Sequence, residues 1–235
     1  MKHSRTMDDG WLFNFRMRAP SEGGMMTGDE VEKHLVARLN DPNKDQQETR
    51  LELVRFYRST GRVVDALCLA GEYLAGSVDL EQEAEMYFHL GQAMEHVEDW
   101  ESAFRFYTKA FELEPKSEFY WYFIHNNIGF SLNQLKRYSD AEKYLREAIA
   151  MDPSRANAFK NLGLSLEGQG RFGEAALSFI AAVRADASDP RALGHLEELA
   201  ERHNEVLDVN PGLAYQIARC REAVEYVARM GPGPA

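Results

Sequence analysis

Two histidines at helical spacing are the side chains of this sequence most suited to holding a metal ion. His89 and His96 are seven residues apart, so they share one face of a predicted helix, and Glu85 and Gln92 lie nearby on that face. A zinc site normally takes three or four strong protein ligands, whereas this face offers two histidines without a strong third ligand. We therefore predict no metal site and expect no cofactor.

Catalytic motifs are absent from the sequence. It has no nucleophile elbow, no phosphate-binding loop, no dinucleotide-binding glycine pattern and no paired-histidine protease motif. Cys68 and Cys220 are far apart and fit neither a zinc spacing nor a disulfide framework. Catalysis by this chain is not expected, and the search for function turns to binding surfaces.

One residue pattern recurs three times between residues 84 and 188. Each copy contains an apolar residue followed by a glycine, at Leu90-Gly91, Ile128-Gly129 and Leu162-Gly163. An alanine follows each glycine after twelve residues and a second alanine after seven more, which gives Ala103, Ala141 and Ala175 and then Ala110, Ala148 and Ala182. Each copy contains two amphipathic segments with apolar residues at helical spacing, separated by a short turn. One such helix pair cannot bury its apolar face alone, so the copies must stack.

These copies resemble the tetratricopeptide repeat. The first copy, residues 84–117, has all eight signature residues: Tyr87, Leu90, Gly91, Met94, Ala103, Tyr107, Ala110 and Pro115. The second, residues 122–155, departs only at His125, and the third, residues 156–189, only at Ala187. The resemblance implies an all-α fold, a right-handed superhelical solenoid of antiparallel helix pairs with helical caps. Members of this family mostly bind other proteins.

The flanking sequence is expected to continue the stack. Residues 29–83 predict N-terminal helices, the first capped by Asp29, and a degenerate repeat that begins near Gln47 with Val54 at the glycine place. Residues 190–230 predict C-terminal capping helices, and residues 231–235 a frayed tail. The four extra residues 118–121 predict one more turn at the start of the following helix, capped by Ser117.

The resemblance also implies a concave groove lined by the first helix of each repeat. The residues predicted to face it are His89, Gln92, His96, Phe123, Asn126, Asn127, Phe130, Asn133, Asn157, Lys160 and Asn161. An asparagine side chain can pair with both the N–H and the C=O of an extended peptide, and Asn127 and Asn161 occupy the same place in successive copies. We therefore expect a peptide segment of a partner protein to bind here. The clamp by which one subfamily grips the C-terminal carboxylate of chaperones is not matched, because Leu164, Asn157 and Asn161 stand where it requires asparagine, lysine and arginine.

Residues 1–28 are expected to form a flexible arm that contains a short aromatic segment. Residues 11–17 include Trp11, Leu12, Phe13 and Phe15, which is more apolar than a solvated tail should be. Exposed aromatic clusters usually find a surface, so this segment is a candidate for docking on its own or a neighbouring chain. The alternative is a solvated tail with scattered rings.

Composition bounds the remaining possibilities. The net charge of −11, spread as mixed Glu, Asp, Lys and Arg, argues against a nucleic-acid partner. No apolar run is long enough to cross a membrane and no secretory signal is evident, so a cytoplasmic location is expected. The sequence favours a protein–protein interaction scaffold that binds an extended peptide. Two alternatives stay open: a self-assembling structural protein whose arm docks on a neighbouring chain to form a homo-oligomer, and an accessory subunit that positions an enzyme.

Overall fold

The computed structural model describes residues 26–76 and 78–230, and the aromatic segment at residues 11–17 lies outside them. These residues form twelve α-helices and no β-strand. The helices are α1 (Gly28–Leu39), α2 (Gln46–Ser59), α3 (Val63–Leu74), α4 (Leu80–His96), α5 (Trp100–Glu112), α6 (Glu118–Gln134), α7 (Tyr138–Met151), α8 (Ala156–Gly168), α9 (Phe172–Ala185), α10 (Arg191–Arg202), α11 (Glu205–Val209) and α12 (Pro211–Met230).

The chain divides into two compact units, Met1–Phe106 and Tyr107–Ala235. In the first unit α2 and α3 form a helix pair, α1 packs on α2, and α4 packs on both helices of the pair. Among its described residues, the core includes the two following clusters of buried side chains. One contains Val31, Leu35, Leu53 and Phe56, and the other contains Leu51, Val54, Ala66, Ala70, Tyr73, Met86 and Leu90.

The second unit contains two successive helix pairs, α6 with α7 and α8 with α9. The first pair packs on α8 through both of its helices, and α9 packs on α10 and α12. A short turn joins the helices of each pair, so they run antiparallel. This stack of antiparallel pairs confirms the predicted all-α solenoid class.

The glycines and alanines of the repeat lie where the helices of a pair approach most closely. A Cβ atom on Gly129 would lie 2.4 Å from Cγ of Leu145, and one on Gly163 would lie 2.5 Å from Cε1 of Phe179. The alanines Ala141, Ala148, Ala175 and Ala182 are all fully buried. The small residues at these places are therefore required by the backbone separation within each pair.

The turn inside every helix pair contains one residue in the left-handed conformation. This residue lies seven positions after the glycine place in all four copies, at Gly61 (φ 70°), Glu98 (φ 56°), Lys136 (φ 60°) and Gly170 (φ 75°). The next residue donates its backbone N–H to the carbonyl five positions earlier, in the pairs Arg62–Tyr57, Asp99–Met94, Arg137–Leu132 and Arg171–Leu166, at 2.8 to 3.1 Å. The degenerate repeat around Val54 thus has the same turn as the clear copies.

Of two helix caps predicted from the sequence, one is wrong and one is confirmed. Thr27, not Asp29, caps α1, because the Thr27 side chain accepts from the Glu30 backbone while Glu30 accepts the Thr27 N–H at 2.7 Å. Ser117 caps the extended α6 as predicted, accepting from the Tyr120 N–H at 3.4 Å. The short helix α11 was not anticipated by the sequence pattern.

Candidate functional site

The asparagines of α6 and α8 form a continuous chain of side-chain hydrogen bonds, here called the amide chain. Asn161 donates to the side-chain oxygen of Asn126 at 3.1 Å, and Asn126 donates to that of Asn127 at 2.9 Å. Asn127 then donates to the Tyr107 hydroxyl at 3.2 Å. The amide chain therefore joins α5, α6 and α8 within the second unit.

The asparagines of the predicted groove differ in how deeply they are buried. Asn126 and Asn161 are 6% and 5% exposed, and Asn133 is buried with its Nδ2 donating to the Asn161 carbonyl at 2.8 Å. The side-chain oxygen of Asn133 is buried without a hydrogen-bond partner among the described residues. Asn127 is half-buried, and its amide has one N–H and one lone pair beyond these two hydrogen bonds.

Lys160 is a buried cation at the α8 end of the predicted groove. Its Nζ donates to the Asn157 side-chain oxygen at 3.3 Å and lies 3.9 Å from an Asp189 carboxylate oxygen. Burial alone would raise the pKa of Asp189, but hydrogen bonds from Arg191 and the charge of Lys160 outweigh it, and the net shift is downward. The positive charge of Lys160 is thus balanced by Asp189 of the same chain. Asn157 is half-buried.

Phe123, also predicted to face the groove, is buried against other rings. With Tyr122 and Phe119 it surrounds the Arg155 guanidinium, whose carbon lies 4.9, 4.9 and 5.9 Å from the three ring centres respectively. Arg155 is held there by Asp152 at 2.6 Å. Burial raises the pKa of the Tyr122 hydroxyl to about 12. Phe123 therefore binds a cation of its own chain.

The predicted groove residues of the first unit form a separate polar network between α2 and α4. Arg55 donates through Nε to Nε2 of the buried His89 at 3.1 Å, which leaves Nδ1 of His89 to donate to the Gln92 side-chain oxygen at 3.3 Å. Arg58 donates to the same Gln92 oxygen, and Arg55 forms an ion pair with Glu85.

Burial and the charges of nearby arginines lower the pKa of both His89 and His96. Burial lowers the pKa of His89 well below its usual value, and the charges of Arg58 and Arg55 lower it further. Partial burial of the ring and the charge of Arg58 lower the pKa of His96 as well. Within residues 26–76 and 78–230, no group of three His, Cys, Asp or Glu side chains is arranged to hold a metal ion.

Sequence reasoning missed three residues of these networks: Arg55, Arg58 and Tyr107. Arg55 and Arg58 follow Val54 by one and four residues, which are the places that Gln92 and Glu95 occupy after Gly91. The repeat register could therefore have identified both arginines as neighbours of the predicted groove residues. Tyr107 was assigned to packing alone, and its ring is indeed fully buried.

Comparisons with known proteins agree with the repeat geometry. Residues 132–190, which include the last three residues of α6 and all of α7, α8 and α9, match the sequence profile of the Tetratricopeptide repeat. The chain contains tetratricopeptide repeats. It is similar to Heat shock protein STI1 of Saccharomyces cerevisiae, with 28% identity over 116 residues, 49% of this chain. The chain spans only about a fifth of that protein, since the match covers 19% of its length.

Solved structures of MamA have the same fold as this tetratricopeptide repeat chain. MamA from Desulfovibrio magneticus RS-1, residue 41 to the end, aligns with a TM-score of 0.61 at 20% identity, covering 77% of this chain and 96% of that one. A second MamA crystal structure aligns with a TM-score of 0.56 at 24% identity, covering 68% and 88%. The tetratricopeptide repeats support a protein–protein interaction scaffold. No helix within the described residues is long and apolar enough to cross a membrane.

Proposed function

We propose that the second unit binds an extended segment of a partner protein along α6 and α8, with Asn127 as the central contact. The observation that carries this proposal is the fixed orientation of a half-buried amide. The Asn127 oxygen accepts from Asn126 and its nitrogen donates to Tyr107, so the group cannot rotate without breaking both hydrogen bonds. One N–H and one lone pair are left in fixed directions, as pairing with a peptide backbone requires.

Two neighbours extend this contact surface. Phe130 follows Asn127 by three residues on α6, so the two share a helix face, and Phe130 is half-buried. Asn157, on α8, is also half-buried and adds a second amide. Two amides and an apolar ring suit a segment whose backbone is bound by hydrogen bonds and one of whose side chains is apolar.

The buried members of the predicted groove act indirectly in this proposal. Asn126 orients Asn127 directly, and Asn161 orients Asn126. Phe123 and Lys160 are engaged with Arg155 and Asn157 in the second unit, whereas His89 and Gln92 belong to the polar network of the first. These residues set the shape of the surface, and a partner touches the accessible side chains.

A display library of short random peptides tests the proposal. Peptides selected on the full chain should bind about tenfold or more weakly to an Asn127→Leu variant, because loss of paired amide contacts costs about 1–3 kcal/mol. The matched control is Lys143→Leu, which changes an exposed side chain of α7. Equal affinities for the two variants, with both folded by circular dichroism, would exclude this surface as the binding site.

A further inference from the structure

The outer face of α3 carries an unusual apolar stripe. Val64, Leu67, Cys68 and Gly71 lie at positions i, i+3, i+4 and i+7, so they form one continuous strip along the helix. Val64 is 72% exposed and Leu67 is 36% exposed, and Cys68 is exposed as well. We call this strip the α3 face.

The corresponding faces of α5 and α7 carry exposed charged residues, whereas that of α9 carries the exposed Leu177. The second helix of the first clear copy exposes Glu101 and Arg105, and that of the next copy exposes Lys143 and Arg146. Charged side chains are what the solvent side of an amphipathic helix normally carries. The α3 face departs from the faces of α5 and α7, since it exposes Val64 and Leu67 and carries no charged residue along the strip.

Gly71 has no packing role within the described residues. A Cβ atom there would meet no atom within 4 Å, whereas Gly129 and Gly163 are crowded by Leu145 and Phe179. A glycine inside a helix costs about 0.5–1 kcal/mol relative to alanine, so an isolated α3 gains nothing from it. A glycine on an exposed apolar strip does allow another segment to approach the backbone closely.

Carboxylates flank the α3 face. Asp65 and Glu72 each follow a residue of the strip, and their side chains are 48% and 66% exposed. Asp65 lies 2.7 Å from Arg62, and Glu72 lies 4.0 Å from Arg50. An occupant of this face should therefore be apolar with adjacent positive charge.

We propose that residues 11–17 of the same chain pack on the α3 face. This segment contains Trp11, Leu12, Phe13, Phe15 and Met17, and Arg16 and Arg18 supply positive charge beside the carboxylates. The α3 face belongs to the first unit. The inference does not depend on the peptide-binding proposal for the second unit.

Chain length permits this contact within one molecule. Met26, the first described residue, packs against the cluster of Val31, Leu35, Leu53 and Phe56. Eight residues, 18–25, separate it from Met17, and such a stretch reaches up to about 30 Å when extended. That distance is comparable to the diameter of a small domain, whereas α3 itself is only about 18 Å long.

Thiol labelling of Cys68 tests the proposal directly. A thiol-specific reagent is added to the full chain and to a version that starts at Thr27, and the Cys68 rate is followed by peptide mass spectrometry. Cys68 in the full chain should react about tenfold more slowly, which corresponds to a docked segment favoured by about 1.4 kcal/mol. The buried Cys220 is the internal reference and should react equally in both. Equal Cys68 rates overturn the proposal.

Substitutions separate docking from other causes of protection. A full chain with Trp11→Ser and Phe13→Ser should label as fast as the truncated one, whereas the control with Lys2→Ser and Arg5→Ser should stay protected. Gly71→Phe fills the open space, so full and truncated chains that both carry it should label at equal rates with unchanged melting of the truncated chain. Protection that weakens on dilution would overturn docking within one chain and assign the contact to a second copy.

Discussion

Asn161 on α8 donates a hydrogen bond to the side-chain oxygen of Asn126 on α6, at 3.1 Å and with both residues buried. Successive repeats are thus joined by an amide–amide bond in addition to their apolar contacts. Such a buried pair is costly to break on one side only, because the remaining oxygen is left without a donor. The amide chain therefore contributes to stability as well as to the proposed binding surface.

Replacing Asn161 by alanine should destabilise the second unit. The substitution removes the donor to Asn126, and the free energy of unfolding should fall by about 1–3 kcal/mol in urea denaturation. Asn157→Ala is the control, since Asn157 is half-buried and outside the amide chain, and its loss should be smaller. An unchanged urea midpoint for Asn161→Ala would contradict a structural role for the amide chain.

Two helical glycines should respond oppositely to alanine. Gly163→Ala places a methyl group 2.5 Å from the Phe179 ring, so a loss of about 1–3 kcal/mol is expected. Gly194→Ala, in α10, meets no atom within 4 Å and should stabilise the chain by about 0.5–1 kcal/mol. Thermal melting of the two variants measures the contrast, and a loss in both would mean that the close approach is not what selects glycine.

Introducing a glycine at one left-handed turn position and removing it from another should have opposite effects on stability. Lys136→Gly should stabilise the second unit by about 0.5–1 kcal/mol, since φ is 60° there and glycine adopts this conformation without a Cβ penalty. Gly170→Ala, at the same place in the next repeat with φ 75°, should cost about 1–2 kcal/mol. Urea denaturation compares them, and effects of the same sign would refute a common turn geometry.

Acid should destabilise the first unit through His89. Because the pKa of this buried ring is lowered in the folded chain, the unfolded chain takes up a proton first as pH falls below about 6.5. The contribution is complete above that pH and is lost below it, by up to about 1.4 kcal/mol per pH unit. Denaturation from pH 7.5 to 5.5 measures it.

A His89→Gln variant should lose this part of the pH dependence. His34→Gln, which removes a histidine of α1 outside the network, is the control. His96 contributes in the same direction, because its pKa is lowered too. If the free energy of unfolding of His89→Gln and of the native chain changed with pH in parallel, His89 would not have a lowered pKa in the folded chain.

The repeat register was predictable because it is set by backbone-level requirements. Gly129, Gly163 and the repeated alanines leave a signal in residue type alone, since only small side chains fit there. The degenerate repeat was located although Val54 replaces its glycine, because the helix pattern and the turn at Gly61 remain. The cap of α1 was misplaced because Thr27 and Asp29 are both good caps, and the reciprocal bond with Glu30 decides between them.

The roles of the groove side chains were less predictable. A register shows which residues share a helix face, but it does not show how close two neighbouring helices come at that face. Asn126 and Asn161 looked like free peptide-binding amides until the approach of α8 to α6 paired them. His89 likewise became an interior hydrogen-bond acceptor only because Arg55 reaches it from α2.

The constant position of the left-handed turn residue has a consequence for protein engineering. Successive glycine places, starting with Val54, are 37, 38 and 34 residues apart, yet the turn always follows its glycine place by seven. Changes in length are therefore absorbed where one helix pair passes to the next, as in the longer α6, and the turn inside each pair keeps its length. A reporter loop inserted at residues 113–117 would lie between two helix pairs, where the repeats already differ in length, and should be tolerated. The same loop at Lys136 would separate α6 from α7, whose close packing leaves no room for a Cβ atom at Gly129.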